Sequence, residues 1–255
     1  MSYYDTLPST VGGYLKLQEV YEVLDLFRQY DHDEVREKVV RDNILAYNTT
    51  DARRRVFSAV KRCFFRFQTK WRRQVFLDAL NAVDEGAKRQ ILLYRLCRKS
   101  FTTYRLTLKV LFPAYKNGMT YLEKDKVVDF LELKQKNTKS VGKWSEATLN
   151  KIATKYLTTM KKFGYLEGRQ KKKINYFSPE LESFTYALYD LLDRGKPPKK
   201  IINSDRFKLF MLQEDDVLNY LERAGNAGYV KFGQAGDVYE IHPTHELKEL
   251  PHVLE

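Results

Sequence analysis

Arg53, Arg54 and Arg55 stand together just after Thr49 and Thr50, and Lys61, Arg62 and Arg66 follow within the next three helical turns. A guanidinium offers a rigid fork of N–H donors that fits phosphate oxygens or a guanine edge in pairs. A threonine pair ahead of them can cap a helix, and a helix start already favours anions through its free amides and dipole. The chemistry these residues can do is therefore polyanion binding. From Thr49 to Arg73 there are nine Lys and Arg residues and no acid after Asp51. A face built only for solubility normally mixes both signs and gains from i,i+4 pairs, so the missing acids favour nucleic acid over simple solvation. A solvated basic face on a bundle helix is the bland alternative.

A second set lies in "WSEATLNKIATKYLTTMKKFGYLEGRQKKKINYFSPE". Ser145 caps a helix whose inward stripe is Leu149, Ile152, Ala153, Tyr156, Met160 and Phe163. Its other face offers Asn150, Lys151, Thr154, Lys155, Thr158, Lys161 and Lys162, side chains that a major groove can use. Gly164 ends the helix, and "YLE" and "INYF" alternate around a turn carrying Arg169, Lys171, Lys172 and Lys173. Helix, glycine, strand, basic turn and strand make the end of a winged helix, with the wing beside a phosphate backbone. The alternative is a winged helix used only for protein contact or dimerisation.

Catalytic chemistry has no comparable set. His32, His242, His245 and His252 lack the helical spacing of a zinc protease, and Cys63 and Cys97 are too few and too distant to complete a cage. There is no phosphate-binding glycine loop and no nucleophile elbow; Gly12–Gly13 is a lone pair in a leader. The expectation is a protein that is not an enzyme and needs no cofactor or metal. Both thiols sit among apolar helical positions, as suits a reducing cytoplasm. No apolar run approaches a membrane span, and the first residues lack a signal-peptide pattern.

The elements that must position the basic residues are mostly helices. "YLKLQEVYEVLDLFRQY" and "DHDEVREKVVRDNIL" are helical, the second capped by Asp31 or Asp33. Before Thr49 or Thr50 the chain turns, so this helix and the next have the layout of a helix-turn-helix. Taking Val56 as zero, Val60, Cys63, Phe64, Phe67 and Trp71 fall between about −20° and +80° of a continuous helix. Arg54, Arg55, Lys61, Arg62 and Arg66 flank that stripe, and Phe65 faces solvent. "TTYRLTLKVLFPAY" is ended by Pro113 and Asn117–Gly118, another helix covers Lys124 to Leu133, and "KQKNTKSVGK" is a polar loop. "RGKPPKK", 194–200, is the clearest linker. "LQEDDVLNYLERAGNAGYVKFGQAGDVYEIHP" is a second helix-and-hairpin module, but Glu214, Asp215 and Asp216 at its helix start suit the dipole and repel phosphate.

The charge follows this division. Residues 1–118 hold 22 basic and 13 acidic residues, 119–180 hold 14 and 7, and 181–255 hold 9 and 13. The formal charge of +12 at 255 residues therefore belongs to the first two thirds. The expected fold is mainly α. It has a helical domain with helix-turn-helix at 1–118, a basic winged-helix-like module at 119–180 and an acidic protein-contact module at 181–255.

"DHDEVREKVVRDNILAYNTTDARRRVFSAVKRCF", "LLYRLCRKSF", "FSPEL" and "FKLFMLQEDDVLNYLERAGNAGYVKFGQAGDVYEI" resemble the BrxA family of bacterial BREX phage-exclusion systems. The likeness runs from about Gly13 to Ile241 and rests on the order of helical segments; Phe112 to Lys143 and the tail after Pro243 depart from it. The resemblance implies a small DNA-binding accessory of a defence island that marks self DNA by methylation and restricts phage. It implies double-stranded DNA and other BREX components as partners, with a homo-oligomer left open. Basic helices alone do not tell A-form from B-form, so an RNA-binding module of the antitermination-factor kind stays beside it, as does a scaffold for an acidic protein.

Overall fold

The computed structural model describes residues 3–6 and 16–254. Its helices are α1 (Leu17–Gln29), α2 (His32–Val40), α3 (Thr50–Val60), α4 (Lys70–Ala82), α5 (Glu85–Lys99), α6 (Phe101–Leu106) and α7 (Phe112–Lys116). They continue as α8 (Lys124–Asn137), α9 (Lys139–Gly142), α10 (Glu146–Lys162), α11 (Leu181–Leu192), α12 (Pro198–Ile202), α13 (Glu214–Asn226) and α14 (Leu250–Leu254). Strand β1 (Leu166–Glu167) pairs antiparallel with β2 (Lys173–Ile174), and β3 (Val230–Ala235) with β4 (Val238–Pro243). The chain is mainly helical with two small antiparallel hairpins. The pair Gly12–Gly13 lies outside the described residues.

The chain forms two compact units, each discontinuous in sequence. Unit 1 comprises the residues up to Arg66 together with Arg95–Tyr176, and unit 2 comprises Phe67–Tyr94 with Phe177–Glu255. This grouping differs from boundaries at 118 and 180, because the linear order of charge and turns does not record which helices pack together.

In unit 1, α10 shows why its sequence folds as it does. Ser145 Oγ accepts from the Thr148 amide at 3.3 Å, Leu149, Ile152, Ala153, Tyr156, Leu157 and Met160 are buried, and Gly164 takes φ +84° to end the helix. Burying Leu149, Ile152 and Met160 contributes about 1.5–3 kcal/mol each. The buried Tyr156 hydroxyl donates to Thr107 Oγ1 at 3.3 Å, and Thr107 donates to the Thr103 carbonyl at 2.9 Å, so no polar atom in that chain is stranded. The hairpin after α10 gains a third edge. Tyr121 bridges Lys173, the Leu122 amide donates to the Lys172 carbonyl at 2.8 Å, and the Ile174 amide donates to Thr120 at 2.9 Å.

Three expectations for these helices need correction. The basic segment is two helices: a π-helical stretch, Lys61–Phe65, extends α3, the backbone turns extended at Arg66, and Thr69 caps α4 by accepting from the Arg72 amide at 3.4 Å. Phe67 and Trp71 therefore leave the Val56 stripe and belong to unit 2. The π stretch also shifts the helical phase, so Phe65 lies over Phe27 with ring centroids 3.7 Å apart instead of facing solvent. Pro113 does not break its helix, which ends at Asn117 and Gly118 as expected. A second π stretch, Thr107–Leu111, precedes it and the helix continues as α7, since the wider turn accommodates a residue with no amide proton. The polar run after Leu133 extends α8 to Asn137 and then forms α9.

Unit 2 is centred on Phe76, Phe184, Tyr189, Phe207 and Phe210, all at 2% exposure or less. Phe184 stacks on Phe207 at 4.8 Å, and the Tyr94 and Tyr189 hydroxyls donate to Asp190 and the Tyr229 carbonyl, each at 2.6 Å. The stretch 194–200 is no linker. Gly195 turns at φ +64°, and Pro198 starts α12, whose Ile201 and Ile202 are buried.

Candidate nucleic-acid interface

The basic residues from Arg53 to Arg66 and from Lys151 to Lys173 lie in unit 1, while Lys70, Arg72 and Arg73 fall in unit 2. At the start of α3, Thr49 is the cap: its hydroxyl accepts from the Ala52 amide at 3.2 Å. Thr50 is exposed, and its hydroxyl accepts from Arg53 Nη2 at 3.1 Å. Arg53 turns back to the end of α2, donating from Nη1 to the Val40 carbonyl at 2.9 Å. Its fork is thus largely spent inside the protein. Arg54 and Arg55 are exposed on α3, while Val56, Phe57, Ala59 and Val60 are buried.

Further along, Lys61 is half-buried, and Arg62 is exposed with its guanidinium beside the Cys63 thiol. Burial pushes that thiol up to about 12, against the pull of Arg62, so Cys63 is an inert core group. Arg66 is exposed, and its carbonyl, like that of Phe64, accepts from the buried Arg95 guanidinium. A cation at the C-terminal end of the π stretch satisfies carbonyls that have no helical partner.

On α10, Lys151 and Thr154 are exposed, and Asn150 and Lys155 are half-buried. Asn150 Nδ2 donates to the Glu146 carbonyl at 3.2 Å, and Thr154 Oγ1 to the Asn150 carbonyl at 3.0 Å. Both polar tips lie along their own helix and keep acceptor capacity outward. Burial, with Lys151 nearby, lowers the Lys155 ammonium below its ordinary range. Lys162 is half-buried and also lowered by burial, while the Glu19 carboxylate pulls the other way. Glu19 is itself buried and accepts from the Tyr47 hydroxyl at 2.6 Å. One carboxylate on α1 thereby engages both the approach to α3 and the end of α10.

The wing divides its charges. Arg169 and Lys171 are exposed, and Lys171 Nζ lies 5.9 Å from the Tyr121 ring centroid. Lys172 folds onto the wing, donating to the Gly168 carbonyl at 3.2 Å and to that of Arg169; burial and Lys161 lower its ammonium. Lys173 pairs with Glu167 at 3.0 Å, which raises it. Arg54, Arg55, Lys151, Arg169 and Lys171 thus remain exposed and face no acid within ion-pair distance among the described residues.

Two features escaped the sequence reading. Lys99 lies where Arg66, Arg95 and Arg98 all act on it, and burial together with those charges lowers it to about 8. The spacing Arg95, Arg98, Lys99, one helical turn, was the available signal. Beside the wing, Tyr121 is 44% and Tyr176 52% exposed, with Tyr176 against Tyr115 at 4.7 Å between centroids. Aromatic faces next to lysines are what a stacked base needs.

A family model described as BrxA matches residues 9–188. The BREX protein BrxA of Bacillus cereus (strain H3081.97) is 22% identical over 168 residues, spanning 66% of this chain and 80% of that protein. Among solved structures, an uncharacterized protein from Magnetospirillum magneticum is similar with a TM-score of 0.61 at 14% identity, covering 82% of this chain and 100% of the other. Likeness at that identity shows the fold alone.

Proposed function

This chain belongs to the BrxA family, and from that membership we propose that it is a cytoplasmic, non-enzymatic component of a BREX-type anti-phage defence system that binds duplex DNA. The carrying observation is the two-sidedness of α10: one face is wholly buried, while Lys151 and Thr154 are open to solvent and lead into the exposed Arg169 and Lys171 of the wing. The order supports a winged helix: the edge segment at Thr120–Leu122, α8, α10, then β1 and β2 around a basic turn. Helices α2 and α3 are joined by residues 41–49, longer than the about 3–4 residues of a helix-turn-helix. In this reading α3 therefore contributes phosphate contacts from Arg54 and Arg55 and α10 enters the groove. Other BREX components and a second copy of the chain are the protein partners of this reading. No described helix is long and apolar enough to cross a membrane.

The exposed Tyr121 and Tyr176 favour a second reading, an RNA or single-strand binder that stacks bases beside the wing. Fluorescence anisotropy with duplex DNA, single strands and RNA of equal length, across a salt series, decides between them. Duplex preference with a log–log salt slope of roughly −4 to −6 is expected from five to seven phosphate contacts. A slope shallower than about −2 for every nucleic acid removes both readings and leaves a protein scaffold.

A further inference from the structure

Unit 2 carries the acidic part of the sequence, yet the only charged residues lining one of its clefts are lysines. Leu191, Lys196, Lys199, Lys200, Asn203 and Ser204 line a cleft of about 440 Å³. Three exposed lysines line it, and among the described residues no carboxylate lies within ion-pair distance of any of them. The nearby acids are engaged elsewhere: Asp190 holds Arg194 at 2.8 Å and Asp193 holds Arg72. Those carboxylates are thus neutralised by arginines and do not offset the lysines.

The backbone under the lysines is fixed in advance. Gly195 makes the turn at φ +64°, Pro197 and Pro198 follow with their φ values locked by the ring, and α12 begins at Pro198 with Lys199 and Lys200 in its first turn. The buried Ile201 and Ile202 hold that turn against the core. Ser204 Oγ accepts from the Arg206 amide at 3.3 Å, which leaves its proton to donate. Three cations, a free hydroxyl donor and a preset backbone around one concavity suit a tetrahedral oxyanion.

We propose that this cleft is a phosphate-binding site of unit 2 and that it takes a backbone phosphate of the bound nucleic acid. The choice of source rests on the DNA reading above; the phosphate chemistry does not. The acidic half of the chain then takes part in binding through a cleft of its own.

The test uses the full chain with Lys196→Gln, Lys199→Gln and Lys200→Gln combined, beside the triple Lys→Arg variant. The probes are duplex DNA across a salt series and, separately, pyrophosphate by calorimetry. The expected result is a duplex affinity lower by about tenfold at 0.1 M salt, a slope shallower by about one, and loss of pyrophosphate heat, with affinity, slope and heat all retained in the arginine variant. Loss of pyrophosphate heat with unchanged duplex binding keeps the phosphate site and overturns the backbone as its source. If both are unchanged by the glutamines, the proposal is wrong. If the unaltered chain binds no duplex, the DNA reading falls, and the pyrophosphate arm alone decides: lysine-dependent heat supports the site and no heat overturns it.

Discussion

The Arg53 guanidinium donates to the Val40 carbonyl at 2.9 Å, tying the last turn of α2 to the first turn of α3. It stands next to Arg54 and Arg55, which share its charge and not its role. Arg53→Ala should lower the stability of unit 1 by about 1–2 kcal/mol, since the carbonyl loses a charged donor. Arg54→Glu with Arg55→Glu should leave thermal unfolding nearly unchanged and weaken DNA binding. Melts and anisotropy on the same samples separate the two effects; a melting loss shared equally by all three positions contradicts this assignment.

Phe65 and Phe27 stack at 3.7 Å between centroids because the π stretch turns Phe65 inward. Phe65→Ala should cost about 2 kcal/mol, the apolar area of a half-buried ring plus its stacking. Phe64→Ala, at a position with 0% exposure, should cost about 3–5 kcal/mol. Denaturant unfolding compares them. No measurable loss for Phe65→Ala would restore the solvent-facing position that a regular helix predicts.

On the wing, Arg169 and Lys171 are exposed while Lys172 donates to the turn and Lys173 pairs with Glu167. Charge reversal at Arg169 and Lys171 should therefore weaken duplex binding more than Lys173→Ala does, because removing Lys173 also frees an acid but removes no open cation. About one unit of salt slope per phosphate contact is the expected loss. The idea fails if Lys173→Ala is the more damaging change in the slope.

Lys99 supplies a pH test. Burial and the charges of Arg95, Arg98 and Arg66 lower it from 10.5 to about 8 in the fold. Its folded value lies below its unfolded one, so folding pays a charging penalty that is fully present below pH 8. The penalty fades as pH rises from 8 toward 10.5. Lys99→Met should raise the melting temperature at pH 7 by about 1–2 °C, after allowance for solvent screening at an exposed side chain. That gain should shrink at pH 9.5. A gain constant with pH would assign it to added apolar contact instead.

What could be read in the sequence was local. The α10 stripe from Leu149 to Phe163, the caps Asp31, Thr49 and Ser145, and the stop at Gly164 follow from side-chain period and backbone freedom, and each stands as expected. The π stretches left no mark, because one extra residue per turn changes the phase without changing composition. The inward use of Arg53 and Arg95 was hidden for a similar reason: a cation that caps carbonyls has the same letter as one that meets phosphate. The pairing of Tyr121 with Lys173 joins residues that no window of helix or hairpin length contains. Of the site, the residue types were legible, but their division into open and occupied cations required their partners.

The discontinuity of unit 2 decides what a truncation does. On the charge map alone, a chain ending at residue 200 loses only an acidic module and keeps its DNA affinity. In the structure, α4 and α11 share unit 2 with α13, the β3–β4 hairpin and α14, and α14 packs on α4. Cutting at 200 takes α14 off α4, whose Val75, Phe76, Leu77 and Leu80 are buried, and removes Phe207 and Tyr220 from beside the buried Phe184 ring. Exposing several such side chains at about 1.5–3 kcal/mol each is comparable with the about 5–15 kcal/mol that holds a typical domain. The 1–200 chain should therefore lose the cooperative melt of unit 2 and expose an apolar face that binds a hydrophobic dye. Unit 1 draws its core from residues up to Arg66 and from Arg95–Tyr176, all present in that fragment, so helical signal and a second transition should persist. A 1–200 fragment with one sharp transition and no dye binding would show that the C-terminal elements add little to the core of unit 2.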